Sequence, residues 1–178
     1  MDKASRESQK RMAEIKKSAD AAGKAIAGIG IAAAAGLTAI TVNAADTADE
    51  ISRMATVANA GTTEFQKFAA GAEAVGISQE KLSDILKDVN DRVGDFLTTG
   101  GGPMKDFFEQ IAPKVGVTAE QFKNLSGPQA LGLYVDSLEK AGVNQQEMTF
   151  FMEAMASDAT SLIPLLRDNG KAMKDYGD

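Results

Sequence analysis

The chain has 178 residues, of which 44% are apolar and 25% charged, proportions near the globular average that exclude wholesale disorder. It contains no Cys and no His, which rules out disulfide scaffolds, thiol catalysis, zinc fingers, haem ligation by His and any Ser-His-Asp arrangement. A formal charge of −6 argues against nucleic-acid binding, which needs cations to neutralise phosphates.

That charge is unevenly placed. Residues 1–24 hold seven Lys/Arg against four Asp/Glu, residues 25–45 hold no charge, and residues 46–178 hold twelve Lys/Arg against twenty-one acids. The shifts predict an extended helical arm over 1–45, an acidic multi-helix domain over 46–170, and a tail over 171–178 that ends inside a helical stretch and reads as a truncation point.

In the arm, Met12, Ile15, Ala19, Ala22, Ile26, Ile29 and Ala33 recur at alternating steps of three and four, the a/d spacing of a coiled-coil seam. The seam continues through Leu37, Ile40 and Ala44, so one helix could run for roughly 40 residues, or about 60 Å. Its glycines each cost up to about 1 kcal/mol in a helix interior, so such a helix needs a partner. The seam residues are therefore the expected self-association surface.

Residues 25–45, AIAGIGIAAAAGLTAITVNAA, are long enough to span a membrane. Ala, Gly and Thr dominate them, however, and insert far less favourably than Leu, Ile or Phe. Gly28, Ala32 and Gly36 form a small-xxx-small pattern suited to close helix packing or to membrane contact. A secretory signal cleaved at Val42-Asn43-Ala44 is disfavoured by the four acids in the preceding charged region.

From Asp46 onward the pattern predicts short amphipathic helices. The first covers 46–58 with Ile51, Met54 and Val57 or Ala58 on one face. Thr62 or Thr63 is expected to cap the second, which carries Phe65, Phe68, Ala69, Ala72 and Val75. Leu82, Ile85, Leu86, Val89, Val93, Phe96 and Leu97 form the most sustained stripe. Gly100–Gly102 break the chain, Pro103 suits a helix start, Met104, Phe107, Phe108 and Ile111 line the next helix, and Pro113 ends or kinks it. Further helices are expected near 119–124, 128–141, 145–156 and 158–168. The predicted class is all-α: a long Ala/Gly-rich coiled-coil-like helix followed by a compact bundle of short amphipathic helices.

Three corners share one form. Gly76-Ile77-Ser78, Gly116-Val117-Thr118 and Gly142-Val143-Asn144 each read as a left-handed Gly closing one helix, an apolar residue, and a cap for the next. Gln121, Glu147 and Gln129 stand three residues after Thr118, Asn144 and Ser126, as capping boxes require.

Candidate chemistry is sparse. The Thr98–Lys105 loop is Gly-rich but lacks the GK[ST] ending that cradles a nucleotide phosphate. Asp88–Gly94 superficially resembles a calcium loop, yet Arg92 takes a ligand position and Thr99 stands where a bidentate Glu belongs. Glu73, Glu109, Glu120, Glu139 and Glu153 read as solvated helix-face carboxylates, and no pair is marked for acid–base work. Met148, Phe151, Met152 and Met155 form a soft stripe, suited to core packing or, in an adaptor protein, to capture of a partner helix. No catalytic, cofactor or metal residue is assigned, and the chain is not expected to be an enzyme.

The order of segments resembles tail tape measure proteins of long-tailed bacteriophages and prophages. The residues that carry the resemblance are ITVNAADTADEISRMATVANAGTTEFQKFAAGAEAVGIS at Ile40–Ser78, KLSDILKDVNDRVGDF at Lys81–Phe96 with the GGGP turn, DFFEQIAPKVGVTAEQFKNLSGPQALGLYVDSLEKAG at Asp106–Gly142 and ASDATSLIPLLRDNG at Ala156–Gly170. The resemblance implies a helical, self-associating virion protein of the tail-tube lumen. Tail assembly chaperones would coat it, tube protein would polymerise around it, and its length would set tail length. It also implies exit ahead of the DNA at infection, with apolar segments aiding passage across the host inner membrane. The chain is much shorter than members of that family, and no residues match the peptidoglycan-cleaving domains that some of them carry. The alternative expectation is a membrane-active helical protein that inserts through residues 25–45.

Overall fold

Apolar stripes at helical spacing, cut by tight corners, become eight α-helices among the described residues. The computed structural model describes Ile40–Gly177, with side chains described over 47–172. The helices are α1 (Ile40–Val57), α2 (Thr62–Ala74), α3 (Gln79–Thr99), α4 (Lys105–Gln110), α5 (Ala112–Val115), α6 (Gly127–Lys140), α7 (Gln145–Met155) and α8 (Ile163–Gly177). Two short 3-10 turns, Ala119–Phe122 and Ala159–Leu162, complete the path, and no strand occurs among the described residues. The expected coiled-coil seam and the small-xxx-small segment lie outside the described residues. The chain divides into two compact units, Met1–Ser52 and Arg53–Asp178.

In the second unit α2 packs on α8, α8 on α6, and α6 on α3. The stripe of α3 is buried at Leu82, Ile85, Leu86, Val89 and Val93. Each such side chain contributes about 1.5–3 kcal/mol on leaving water. Leu97, the last member of the expected stripe, is instead 39% exposed. Beside it Phe96 stacks on Phe108 with ring centroids 4.0 Å apart.

An aromatic cluster fills the space between α4, α6 and the first 3-10 turn. Phe107 lies 4.4 Å from Tyr134 and meets Phe122 edge-on at 6.0 Å, while Phe108 meets Phe122 edge-on at 5.5 Å. The Tyr134 hydroxyl donates to the Phe151 carbonyl at 2.7 Å, so its burial leaves no unpaired polar atom and ties α6 to α7. That burial pushes the Tyr134 phenol well above its usual range.

Two start signals fall differently from expectation. Helix α2 begins at Thr62 itself, with Gly61 as its N-cap and no side-chain capping bond. Pro103 lies in a turn two residues ahead of α4, whose N-cap is Met104. Pro113 does divide α4 from α5, the break falling at Ile111. The last predicted helix, 158–168, resolves into a 3-10 turn and the first turn of α8. Arg167 is extended there, and Asp168, Asn169 and Gly170 are left-handed at φ 54°, 58° and 66°.

Candidate functional site

Four helix ends in this unit close with the same geometry. A residue with positive φ follows the last turn, and the next N–H reaches back five residues. Ile77 donates to the Ala72 carbonyl at 2.9 Å, Val117 to Ala112 at 3.0 Å, Val143 to Leu138 at 3.3 Å and Ala60 to Ala55 at 2.9 Å. Three of these corners are the Gly corners legible in the sequence, with φ of 83°, 71° and 72° at Gly76, Gly116 and Gly142. The caps that follow form as expected: Ser78 Oγ accepts from Lys81 N at 3.3 Å, and Asn144 Oδ1 accepts from Glu147 N at 2.9 Å. Gln121 Oε1 closes back onto Thr118 N at 3.0 Å.

The fourth corner uses Asn59 at φ 50° in place of glycine. The sequence pattern does not mark it, because Asn59-Ala60-Gly61 lacks the Gly, apolar, cap form. The one signal it carries is that Asn tolerates the left-handed region better than other side chains. Its side chain also does what glycine cannot. Asn59 Nδ2 donates to the Leu125 carbonyl at 3.2 Å, and the Asn59 carbonyl accepts from Gly127 N at 3.2 Å. A third link lies alongside, where Ser126 Oγ donates to Glu64 Oε1 at 2.9 Å while accepting from Gln129 N at 3.2 Å. The Glu64 carboxylate thus sits in the first turn of α2 beside the start of α6, where both helix dipoles favour an anion. The corner between α1 and α2 is clasped to the start of α6 by three hydrogen bonds.

Gly127 allows this approach. A Cβ built on it would lie 2.3 Å from the Ala58 carbonyl oxygen and 3.3 Å from both Asn90 Nδ2 and Leu86 Cβ. Asn90 Nδ2 is the one buried side-chain nitrogen or oxygen without a hydrogen-bond partner among the described residues. One turn earlier in α1, Ser83 Oγ donates to the Met54 carbonyl at 3.1 Å.

The clasp frames an open groove of about 670 Å³, lined among others by Thr56, Asn59, Lys123, Asn124, Ser126 and Gln129. Its chemistry is that of neutral carboxamides and two hydroxyls. Its one ammonium, Lys123, lies 3.5 Å from Glu120. Such a lining suits hydrogen bonding to a neutral polar chain. The Ser126–Glu64 pair is a latch: the hydroxyl gives its proton to the carboxylate and accepts the cap bond from Gln129 N, so its proton is already committed.

The other segments singled out in the sequence fall into structural roles. Asp88–Gly94 runs inside the continuous helix α3, where Lys87 Nζ meets Asp91 Oδ2 at 2.7 Å. The Gly100–Gly102 loop folds against the end of α3, with Gly101 N donating to Thr99 Oγ1 at 3.1 Å. Glu73 accepts from Gln79 Nε2 at 3.0 Å, Glu109 lies 3.7 Å from Lys105, Glu139 accepts from Asp168 N at 3.1 Å, and Glu153 is exposed. Among the described residues no three acidic side chains are grouped to hold a metal ion. Met148, Phe151, Met152 and Met155 are all buried, so the face an adaptor would need is turned into the core. Charge pairs on the surface shift their members modestly. Asp158 holds the Lys81 ammonium above its usual range, and bonds from its own backbone amide and from Ser78 hold the Glu80 carboxyl below its own.

No described helix is long and apolar enough to cross a membrane. Compared with family models, curated proteins and solved structures, the chain matches none.

Proposed function

We propose that this chain is a structural, non-enzymatic segment of a phage tail tape measure protein. In this reading it occupies the tail-tube lumen, helps set tail length and assembly, and aids DNA passage across the host inner membrane. The observation that carries the reading is the order and wording of the segments from Ile40 to Gly170. An all-helical unit whose corners are locked by local caps is compatible with it, because a helix supplies 1.5 Å of length per residue and makes chain length a ruler. The partners are further copies through the Met12–Ala33 seam, tail tube protein and tail assembly chaperones. Assembly takes place in the bacterial host cytoplasm.

An antibody against residues 46–178, applied to source cells, tests the proposal. A product much larger than 18.6 kDa that co-sediments with tail particles is expected. A product of 18.6 kDa found with membranes instead would favour the second reading, a protein that inserts through residues 25–45, which rests on their lack of any charge. Leakage of liposomes by the whole chain, lost when residues 1–45 are deleted, would support that alternative. Self-association has its own test: Ile26→Asp with Ile29→Asp should abolish oligomers in analytical ultracentrifugation.

A further inference from the structure

The chain has asparagines at 43, 59, 90, 124, 144 and 169, and only Asn169 is followed by glycine. The fold treats these amides differently. Asn59 donates to Leu125, Asn144 caps α7, and the Asn90 amide nitrogen is buried on α3. Asn169 is exposed, and its side chain has no partner among the described residues. It sits at the centre of three successive left-handed residues, a conformation that costs a non-glycine residue about 1–2 kcal/mol. Two tethers hold the turn in place. Arg167 Nη2 donates to Gln145 Oε1 at 2.8 Å, and Asp168 N donates to Glu139 Oε2 at 3.1 Å.

We infer that Asn169 is a site of spontaneous backbone-directed modification, and that the tethers from Glu139 and Gln145 set its rate. In the reaction the Gly170 amide nitrogen, having given up its proton, attacks Cγ of Asn169. The N–Cγ bond forms, the Cγ–Nδ2 bond breaks, and ammonia leaves with the proton that Gly170 released. One water molecule then opens the resulting succinimide at either carbonyl to give aspartate or isoaspartate, with no change of oxidation state. Asparagine is among the thermolabile residues for this reason. Gly170 admits the attack because it has no Cβ to obstruct the nitrogen.

The turn restrains the reaction. Ring closure requires rotation about the Asn169 Cα–C bond away from its ψ of 38°, and the tethers at Arg167 and Asp168 fix the N-terminal side of that bond, so the turn cannot swing freely to meet the attack. Once formed, the product is no longer compatible with the turn. A new carboxylate stands beside Asp168 and near Glu139, and isoaspartate adds an atom to the main chain inside a left-handed turn. Modification therefore breaks the left-handed turn at Asp168–Gly170.

The test is a time course at mildly alkaline pH on the whole chain and on a free peptide spanning 165–173. The readout is the tryptic peptide Asp168–Lys171 and its mass gain from exchange of NH2 for OH. Conversion at Asn169 alone is expected, slower in the protein than in the peptide by roughly tenfold or more, the effect of two net hydrogen bonds. Glu139→Ala should accelerate it roughly fivefold, the effect of one bond. Gln145→Ala, on the surface of α7, tests the second tether independently, and Gly170→Ala in the free peptide should slow the reaction strongly. Equal rates in protein and peptide, an unaltered rate in both tether variants, or earlier conversion at another asparagine would each overturn the inference.

Discussion

Asn59 and Asn169 occupy the same left-handed backbone state, with φ of 50° and 58°, in surroundings that have little else in common. Asn59 is bound through both its amide and its carbonyl to the start of α6, and the Gly127 backbone rests against the preceding Ala58 carbonyl. Asn169 is held only through its neighbours, by two exposed bonds, and its own amide faces water. Positive φ in a non-glycine residue does not by itself identify a rigid corner or a labile one. The two are separated by whether the amide makes tertiary bonds.

The largest effect should come from breaking the rigid corner at its closest approach. Gly127→Ala places a Cβ against backbone that has no free direction to move, so a loss of about 3 kcal/mol is expected, at the upper end for overpacking. In a domain of this size that lowers the melting temperature by roughly 10 °C. An unchanged melt would show that the α1 end can retreat from α6.

Next is the buried phenol that joins α6 to α7. Tyr134→Phe takes away the tertiary bond to the Phe151 carbonyl, which keeps only its bond within α7, and should cost about 1–2 kcal/mol. The pH dependence follows from the raised folded-state pKa. Below the ordinary tyrosine value of about 10 both states hold the proton, and nothing changes. Above it the unfolded chain ionises while the folded one does not, so stability falls as pH rises. Melts of the two proteins should therefore differ most below about pH 10 and converge above it.

The Asn59 corner can be divided by a pair of substitutions. Asn59→Ala loses the Leu125 bond and meets the left-handed penalty, and should cost about 2 kcal/mol. Asn59→Gly loses only the bond and should cost about 1 kcal/mol or less, because glycine accepts positive φ freely. Equal losses in urea denaturation would mean that the side-chain bond, and not backbone strain, dominates the corner. The smallest effect belongs to the Lys81–Asp158 pair, whose side chains are 48% and 56% exposed. Lys81→Ala should lower the melting temperature only slightly at low ionic strength, and that shift should vanish in high salt.

The helical class and the corners were readable because their determinants are local. The bonds from Ile77 to Ala72 and from Ser78 to Lys81 join residues five or three apart, so the residue types at those spacings imply the geometry. The Met148–Met155 stripe was legible as apolar, but its spacing is the same whether it faces a core or a partner. Leu97 shows the opposite ambiguity: it keeps the period of the stripe and still faces water, because α4 meets this end of α3 at Phe96, through Phe108, and not at Leu97.

The amino-acid sequence by itself determined the all-α character of the described residues, the Gly76, Gly116 and Gly142 corners, and the capping boxes, since each rests on backbone groups within a few residues of one another. Tertiary structure alone decided that Asn59 is a corner, that Gly127 has no room for a side chain, and that a polar groove opens between the clasped loops. Those features depend on residues more than sixty positions apart meeting at hydrogen-bond distance, as Asn59 meets Leu125 and Glu64 meets Ser126. No local pattern encodes that meeting, because it follows from how the buried faces of α2, α3, α6 and α8 pack together.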